Sequence, residues 1–212
     1  MTDRDLVRLY WPVALRPAFD ALFAIDDAMA EVVRTTSEPA LGAIRLAWWR
    51  EALERLDTSP PPAEPRLQAA ASELLPRAIS GRDLAGLEAG WTALLDEPPW
   101  DEAVVEAIAE RGRRFFAIGA TLLGVDDDGL NDAGAIFAIA NAVRHCSDRA
   151  SAQMLVEAGR RMSHQRFAKT LRPLTALTAL SVRDLTSFPT LEVEASPARA
   201  VTLLRHRMTG RI

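Results

Sequence analysis

The stretch PAFDALFAIDDAMAEVVR, residues 17–34, determines the fold class of this chain. Its apolar side chains recur every three or four residues, which is the spacing of one face of an α-helix. The members of this apolar stripe are Phe19, Leu22, Phe23, Met29 and Val33. We therefore predict a helix over residues 17–34 whose stripe faces a hydrophobic core.

A carboxylate interrupts this stripe. At about 100° per residue, the stripe lies within about 60° of Asp26, whereas Asp27 and Glu31 fall on the wetter flank. The next helix, predicted to begin with a serine cap at Ser37, repeats the feature with Arg45 among apolar neighbours. A buried charge is costly unless it is paired. Asp26 and Arg45 therefore either pair within the core, with each other or with backbone groups, or line a polar cavity between helices.

A later helix, predicted from Gly134 to about Asp148, also has two distinct faces. One face is apolar, and the other carries Asn141, Arg144, His145 and Asp148 beside small residues. This polar face is either a solvated outer surface or one wall of an internal pocket.

Composition extends the helical prediction to the whole chain. The 212 residues include 37 Ala and 27 Leu against only 12 Val and 8 Ile, and this balance favours helices over strands. Turn signals divide the chain into seven to nine helices with short connections. We predict an all-α, single-domain helical bundle.

Charge and the remaining motifs exclude several classes of protein. The net charge is −4, so no general basic field favours nucleic acid. The single cysteine, Cys146, excludes a disulfide framework. The pattern DxxxD at Asp128–Asp132 is interrupted by Gly129, so it predicts a solvated turn and no metal site. With neither a signal peptide nor a membrane-spanning segment in the sequence, we expect a cytoplasmic protein.

Several segments resemble the squalene/phytoene synthase family. The resemblance rests on Pro12–Arg16, Ala21–Ile25, Ser37–Arg50, Gly134–Arg144 and Leu204–Ile212. It covers most of residues 1–212 and implies the all-helical isoprenoid (terpenoid) synthase fold with a central cavity. Together with the polar residues on the two helices described above, it predicts that the helices containing Asp26 and Asn141 face each other across the core. The family's segment after the second motif is absent, so the resemblance implies a domain shortened after residue 149.

Active members of that family hold Mg²⁺ and a substrate diphosphate between two aspartate-rich motifs on facing helices. Hard Mg²⁺ requires oxygen ligands, and carboxylates one helical turn apart supply them. The acidic positions of the first motif fall here on Ala30, Glu31 and Arg34, so only one of the three is acidic.

The second motif is degraded in the same way. Asn141 and Arg144 match it, but His145 and Arg149 replace its two aspartates, while Asp148 lies between them. The resemblance is therefore closest to the non-synthase branch of the family, which includes a mitochondrial complex I assembly factor.

Three functions follow as alternatives. The first is a catalytically degenerate protein that binds an isoprenoid-like or other lipid ligand, or acts as an assembly factor, without a cofactor. The second is a prenyltransferase that condenses isoprenoid diphosphates with an atypical Mg²⁺ site built from Asp26, Asp27, Glu31 and Asp148. The third is a structural bundle whose side chains fill the cavity.

The carboxyl-terminal segment is basic and amphipathic. Residues 197–212 contain four arginines and no acidic residue, with Val201, Leu204 and Met208 at helical spacing. Such a helix can contact an anionic membrane, here the inner membrane face, or an acidic protein partner. Alternatively, Val201 and Leu204 dock on the bundle while the arginines are solvated or pair with acidic helices.

Overall fold

The computed structural model describes residues 1–162 and 166–212, which form one helical bundle without a β-strand. This confirms the all-α, single-domain prediction, although the described residues form eleven α-helices and not the seven to nine predicted. None of the described helices is long and apolar enough to cross a membrane. The α-helices are α1 (Asp3–Arg8), α2 (Arg16–Thr35), α3 (Pro39–Arg55), α4 (Pro65–Glu73), α5 (Gly81–Ala85), α6 (Glu88–Thr92), α7 (Glu102–Leu123), α8 (Leu130–His145), α9 (Arg149–Arg161), α10 (Arg172–Ser187) and α11 (Pro197–Thr209).

Helix α2 forms where the apolar stripe predicted it. Pro17 lies in its first turn, where a missing backbone N–H costs nothing. The stripe residues Phe19, Leu22, Phe23 and Met29 are buried, and Val33 is half-buried. Trp11 stacks on Phe19 with ring centroids 4.9 Å apart, so the segment before α2 closes this side of the core.

Helix α3 faces the core differently from the prediction. Its buried residues are Gly42, Leu46, Trp49, Ala52 and Leu53, and they form the inner face of the helix. The exposed apolar residues of the helix are Leu41, Ile44 and Trp48. The predicted serine cap is also wrong, because the helix is preceded by Glu38 and has no side-chain cap. Apolar residues surround this helix, so periodicity alone does not identify its inner face.

The centre of the bundle is the crossing of α7 and α8. A Cβ atom added to Gly112 would lie 2.1 Å from the Gly134 carbonyl oxygen, and one added to Gly134 would lie 2.4 Å from that of Gly112. The two backbones therefore touch with no side chain between them. Alanines such as Ala138 and Ala142 fill much of the remaining surface of α8.

Helix α8 ends earlier than predicted. It stops at His145, and the extended residues that follow lead to Asp148, which caps α9. The Asp148 carboxylate accepts a hydrogen bond of 2.7 Å from the backbone N–H of Ser151. The preference of Asp148 for a helix-cap position therefore outweighs its inclusion in a longer α8.

Helix α11 packs on α10 through Arg199, Leu203 and His206, which are buried. Val201 and Leu204 are exposed, so the prediction that they dock on the bundle is wrong. The His206 ring lies between two partners, the Arg211 carbonyl at 3.0 Å from Nδ1 and the Thr175 hydroxyl at 3.0 Å from Nε2. A carbonyl only accepts, so Nδ1–H donates to it, and the hydroxyl hydrogen of Thr175 is shared between Nε2 and the Leu171 carbonyl at 3.1 Å.

Substitution of Gly112 by alanine tests the α7–α8 crossing. Alanine is the better helix former by about 1 kcal/mol, but its methyl group would overlap the backbone of α8. We expect Gly112→Ala to lower the free energy of unfolding by about 3 kcal/mol in urea denaturation. The control Ala117→Gly, on the exposed side of α7, should cost only about 1 kcal/mol. A stabilised Gly112→Ala variant would contradict the crossing.

His206 predicts a pH dependence of stability. Burial, together with the nearby charge of Arg172, lowers the pKa of His206 below its ordinary value of 6.5 despite the hydrogen bond to Arg211. Below that pH the unfolded chain binds a proton that the folded chain does not, so stability is lost as the pH falls. In urea denaturation between about pH 7 and about pH 5.5, the unfolding free energy of His206→Gln should decline less steeply than that of the wild type. Equal slopes would show that His206 does not contribute.

Candidate binding cavity

A cavity of about 670 Å³ lies between the helices predicted to face each other. Its volume is within the range of about 300–1,000 Å³ that small-molecule sites occupy. Both Asp26 of α2 and Asn141 of α8 line it, so the predicted juxtaposition of these two helices is confirmed. The apolar part of its wall consists of Phe23, Ala30, Val33, Trp91, Leu94, Trp100, Phe137, Ala140, Ala142, Leu177 and Leu180.

Asp26 lies at the inner side of this cavity and is only 6% exposed. Its Oδ1 accepts hydrogen bonds of 2.8 Å from Arg111 Nη1 and 2.7 Å from Trp91 Nε1. The Arg111 guanidinium also lies over the Trp91 ring, 3.8 Å from its centroid. Asp26 is therefore paired, as one of the two interpretations required, but its partner is Arg111 and not Arg45.

A second group of ion pairs forms the wall contributed by α1, α8, α10 and α11. Asp184 accepts hydrogen bonds of 2.7 and 2.8 Å from Arg144 and also pairs with Arg199. Arg199 in turn donates from Nε to both carboxylate oxygens of Asp3, at 3.0 and 2.8 Å. Burial would lower the pKa of Arg199, but the hydrogen bonds to Asp3 and Asp184 outweigh it and raise that pKa. All four charges are therefore neutralised by one another.

The rim of the cavity contains a third pair. Arg4 donates to both oxygens of Asp27 and lies over the Phe23 ring, 4.3 Å from its centroid. Burial would lower the pKa of Arg4, but hydrogen bonding to Asp27 outweighs it and raises the pKa. This pair is about half exposed, so it contributes little to stability.

On α2 and α8, three polar side chains that line the cavity lie outside these pairs. Arg34 is exposed and forms no ion pair among the described residues, and the half-buried Asn141 forms no described side-chain hydrogen bond. His145 donates from Nδ1 to the Asn141 carbonyl at 2.8 Å, which leaves its Nε2 as an acceptor. These groups can contact the polar end of a ligand without first breaking an ion pair.

The structure brings together five of the eight predicted site residues, namely Asp26, Asp27, Asn141, Arg144 and His145. The other three lie elsewhere. Glu31 pairs with Arg66 at 3.1 Å on the outer surface, and Arg45 is exposed, donating to the Thr36 hydroxyl at 2.9 Å. Asp148 caps α9. The sequence placed Arg45 in the cavity because it predicted the wrong inner face for α3. It placed Asp148 there because it extended α8 beyond His145.

The arrangement does not fit a magnesium–diphosphate cluster. Among the described residues, no three Asp, Glu, His or Cys side chains converge. Of the four carboxylates predicted for an atypical site, Glu31 and Asp148 are outside the cavity, and Asp26 and Asp27 already bind arginines. Coordination by Asp26 would leave Arg111 buried without its counter-charge, which costs about 3–5 kcal/mol.

Apart from Arg144, the partners that neutralise the charges of the cavity were not predicted. Arg111 follows Ile108 by three residues on α7, and Asp184 follows Leu180 by four on α10, so both interrupt apolar stripes as Asp26 does. That signal could have identified them. Arg4 and Arg199 belong to short or polar stretches that give no such signal.

Comparisons with family models, with curated proteins and with solved structures found no significant match to this chain.

The pair of Asp26 and Arg111 predicts a non-additive effect on stability. Arg111→Met leaves the buried carboxylate without its charge partner, and we expect a loss of about 3–5 kcal/mol in urea denaturation. The double variant Asp26→Leu/Arg111→Met removes both charges and should recover most of that loss. Arg4→Gln, at the exposed pair, should cost at most about 1 kcal/mol. Additive effects of the two buried substitutions would contradict the pairing.

Proposed function

We propose that this chain is a catalytically degenerate relative of the squalene/phytoene synthases that binds an isoprenoid-like or other lipid ligand without Mg²⁺. The fold is proposed to be of the isoprenoid synthase type, with the role of an assembly or carrier protein and no prenyl transfer. One observation carries the proposal. Two facing helices line an open cavity, and its two buried carboxylates, Asp26 and Asp184, are each bound to an arginine.

The shape and lining of the cavity support an amphiphilic ligand. Aromatic side chains such as Phe23, Trp91, Trp100 and Phe137 offer a surface for an unbranched or branched hydrocarbon chain. The polar groups outside the ion pairs, Arg34, Asn141 and His145, offer contacts to a head group. An open cavity of this size also argues against the alternative of a structural bundle filled by its own side chains.

The sign of the charges argues against prenyl transfer. A diphosphate leaving group needs its developing charge offset, and Mg²⁺ held by carboxylates does this in the family that the sequence resembles. In this chain the two first-motif positions that line the cavity are Ala30 and Arg34, one helical turn apart. Neither can bind a cation. The prenyltransferase alternative therefore lacks the ligands that its chemistry requires.

Titration with farnesyl diphosphate and farnesol tests the proposal. We expect calorimetry to detect binding of farnesyl diphosphate that is the same with Mg²⁺ and with a chelator, and no release of pyrophosphate. Binding of farnesol would show that the apolar wall contributes to affinity. Mg²⁺-dependent release of pyrophosphate by the wild type would overturn the non-catalytic function, and no binding of either compound would overturn ligand binding.

Restoring carboxylates should create metal dependence. Ala30→Asp/Arg34→Asp places two carboxylates one turn apart on the cavity wall, so we expect farnesyl diphosphate binding to become stronger with Mg²⁺ than without. The control Ala117→Asp/Thr121→Asp adds the same pair on the exposed side of α7. A Mg²⁺ response equal in both variants would show that the cavity does not have the assumed geometry.

A further inference from the structure

Helix α11 presents apolar side chains to solvent on the face opposite to its packing surface. Val201, Leu204 and Met208 are 65%, 57% and 74% exposed, respectively. Together with the exposed Arg205 they span an arc of about 100° of the helix. The inner face, which contains Leu203, already secures the helix to α10. These exposed side chains therefore contribute little to the packing of the bundle.

Cationic side chains surround this apolar face. The segment after residue 165 joins the carboxyl terminus through a β-bridge between Arg166 and Arg211, and Arg166 Nε donates to the Thr209 carbonyl at 3.0 Å. The exposed cations gathered here are Arg166, Lys169, Arg205, Arg207 and Arg211. None of them belongs to an ion pair of the described residues, although the whole chain has a net charge of −4.

The segment after α1 adjoins α11 and adds further apolar surface. The Arg207 guanidinium lies over the Tyr10 ring, 5.4 Å from its centroid. On either side of Tyr10 in the sequence, Leu9 and Val13 are exposed. We call the combination of α11, the residues beside Tyr10 and the five cations the terminal face.

We infer that the terminal face docks on an anionic membrane surface, with α11 lying along the headgroups. Apolar side chains that protrude from a helix can enter the boundary between headgroups and acyl chains, and arginines beside them can bind lipid phosphates. The inference stands whether or not the cavity binds a ligand.

The charge of the terminal face favours a bilayer over an acidic protein. Residues 196–212 carry no acidic side chain, so the charge has one sign along the whole helix and matches a uniformly anionic surface. An acidic protein would more often present charges of both signs, so the uniform positive charge matches a bilayer better.

Vesicle co-sedimentation of the full chain tests the inference. Vesicles of phosphatidylcholine alone are compared with vesicles containing about 30% phosphatidylglycerol, at about 0.02 M and about 0.15 M salt. We expect sedimentation with the anionic vesicles only, and weaker binding at the higher salt because counterions screen the arginines. Equal binding to both vesicles, or binding to neither, would overturn the inference. Binding to soluble polyglutamate but not to vesicles would assign the face to an acidic protein instead.

Matched charge variants locate the contact. Arg205→Gln/Arg211→Gln removes two exposed cations of the terminal face, and each should weaken binding about fivefold, or about 25-fold together. The control Arg50→Gln/Arg82→Gln removes two exposed cations of α3 and α5 and should leave binding unchanged. Equal losses in both variants would indicate a nonspecific charge effect and overturn the assignment to α11.

Matched apolar variants separate insertion from charge attraction. Leu204→Ser/Met208→Ser removes the protruding side chains without changing charge, and we expect at least about tenfold weaker binding. The control Leu41→Ser/Ile44→Ser removes exposed apolar residues of α3 and should bind as the wild type does. Unchanged binding by Leu204→Ser/Met208→Ser would overturn insertion of α11.

Discussion

A carboxylate buried in an apolar stripe must have a counter-charge, and much of this bundle is arranged around that requirement. Asp26 receives its counter-charge from Arg111 of α7 and a hydrogen bond from Trp91 of α6. A Cβ atom on Gly90 would lie 2.4 Å from Arg111 Cβ, so the glycine lets α6 approach closely enough for Trp91 to reach Asp26. One charge on α2 thereby sets the distance between three helices.

The same principle shapes the far wall of the cavity. Asp184 binds Arg144 and Arg199, and Arg199 binds Asp3, so alternating charges link four helices. In a metal-dependent site of this kind, a divalent cation would neutralise facing carboxylates. Here arginines fixed in the wall do so, and each remains charged at any physiological pH. The buried charges of the cavity wall are therefore balanced by the protein itself.

The sequence predicted the helical class, the bounds of α2 and α11, and the facing of α2 and α8. The helical class and the bounds depend on local periodicity, which a single segment contains, whereas the facing of α2 and α8 also rested on the family resemblance. It did not predict which face of α3 is inner, because Leu41 and Leu46 give apolar residues on both sides of that helix. The pairing of Asp26 with Arg111 spans 85 positions. Local patterns identify a buried charge but not its partner, which depends on how the helices assemble.

The link between Asp3 and Arg199 joins positions 196 residues apart, near opposite ends of the described chain. During synthesis this bond cannot form until α11 has left the ribosome. Until then, the contact between α1 and the far wall of the cavity is incomplete. The α7–α8 crossing, in contrast, joins Gly112 to Gly134 and can form much earlier. Because contacts distant in sequence form late, the far wall of the cavity forms after the α7–α8 crossing. A ribosome that stops before residue 199 would release a chain with a core but no completed cavity.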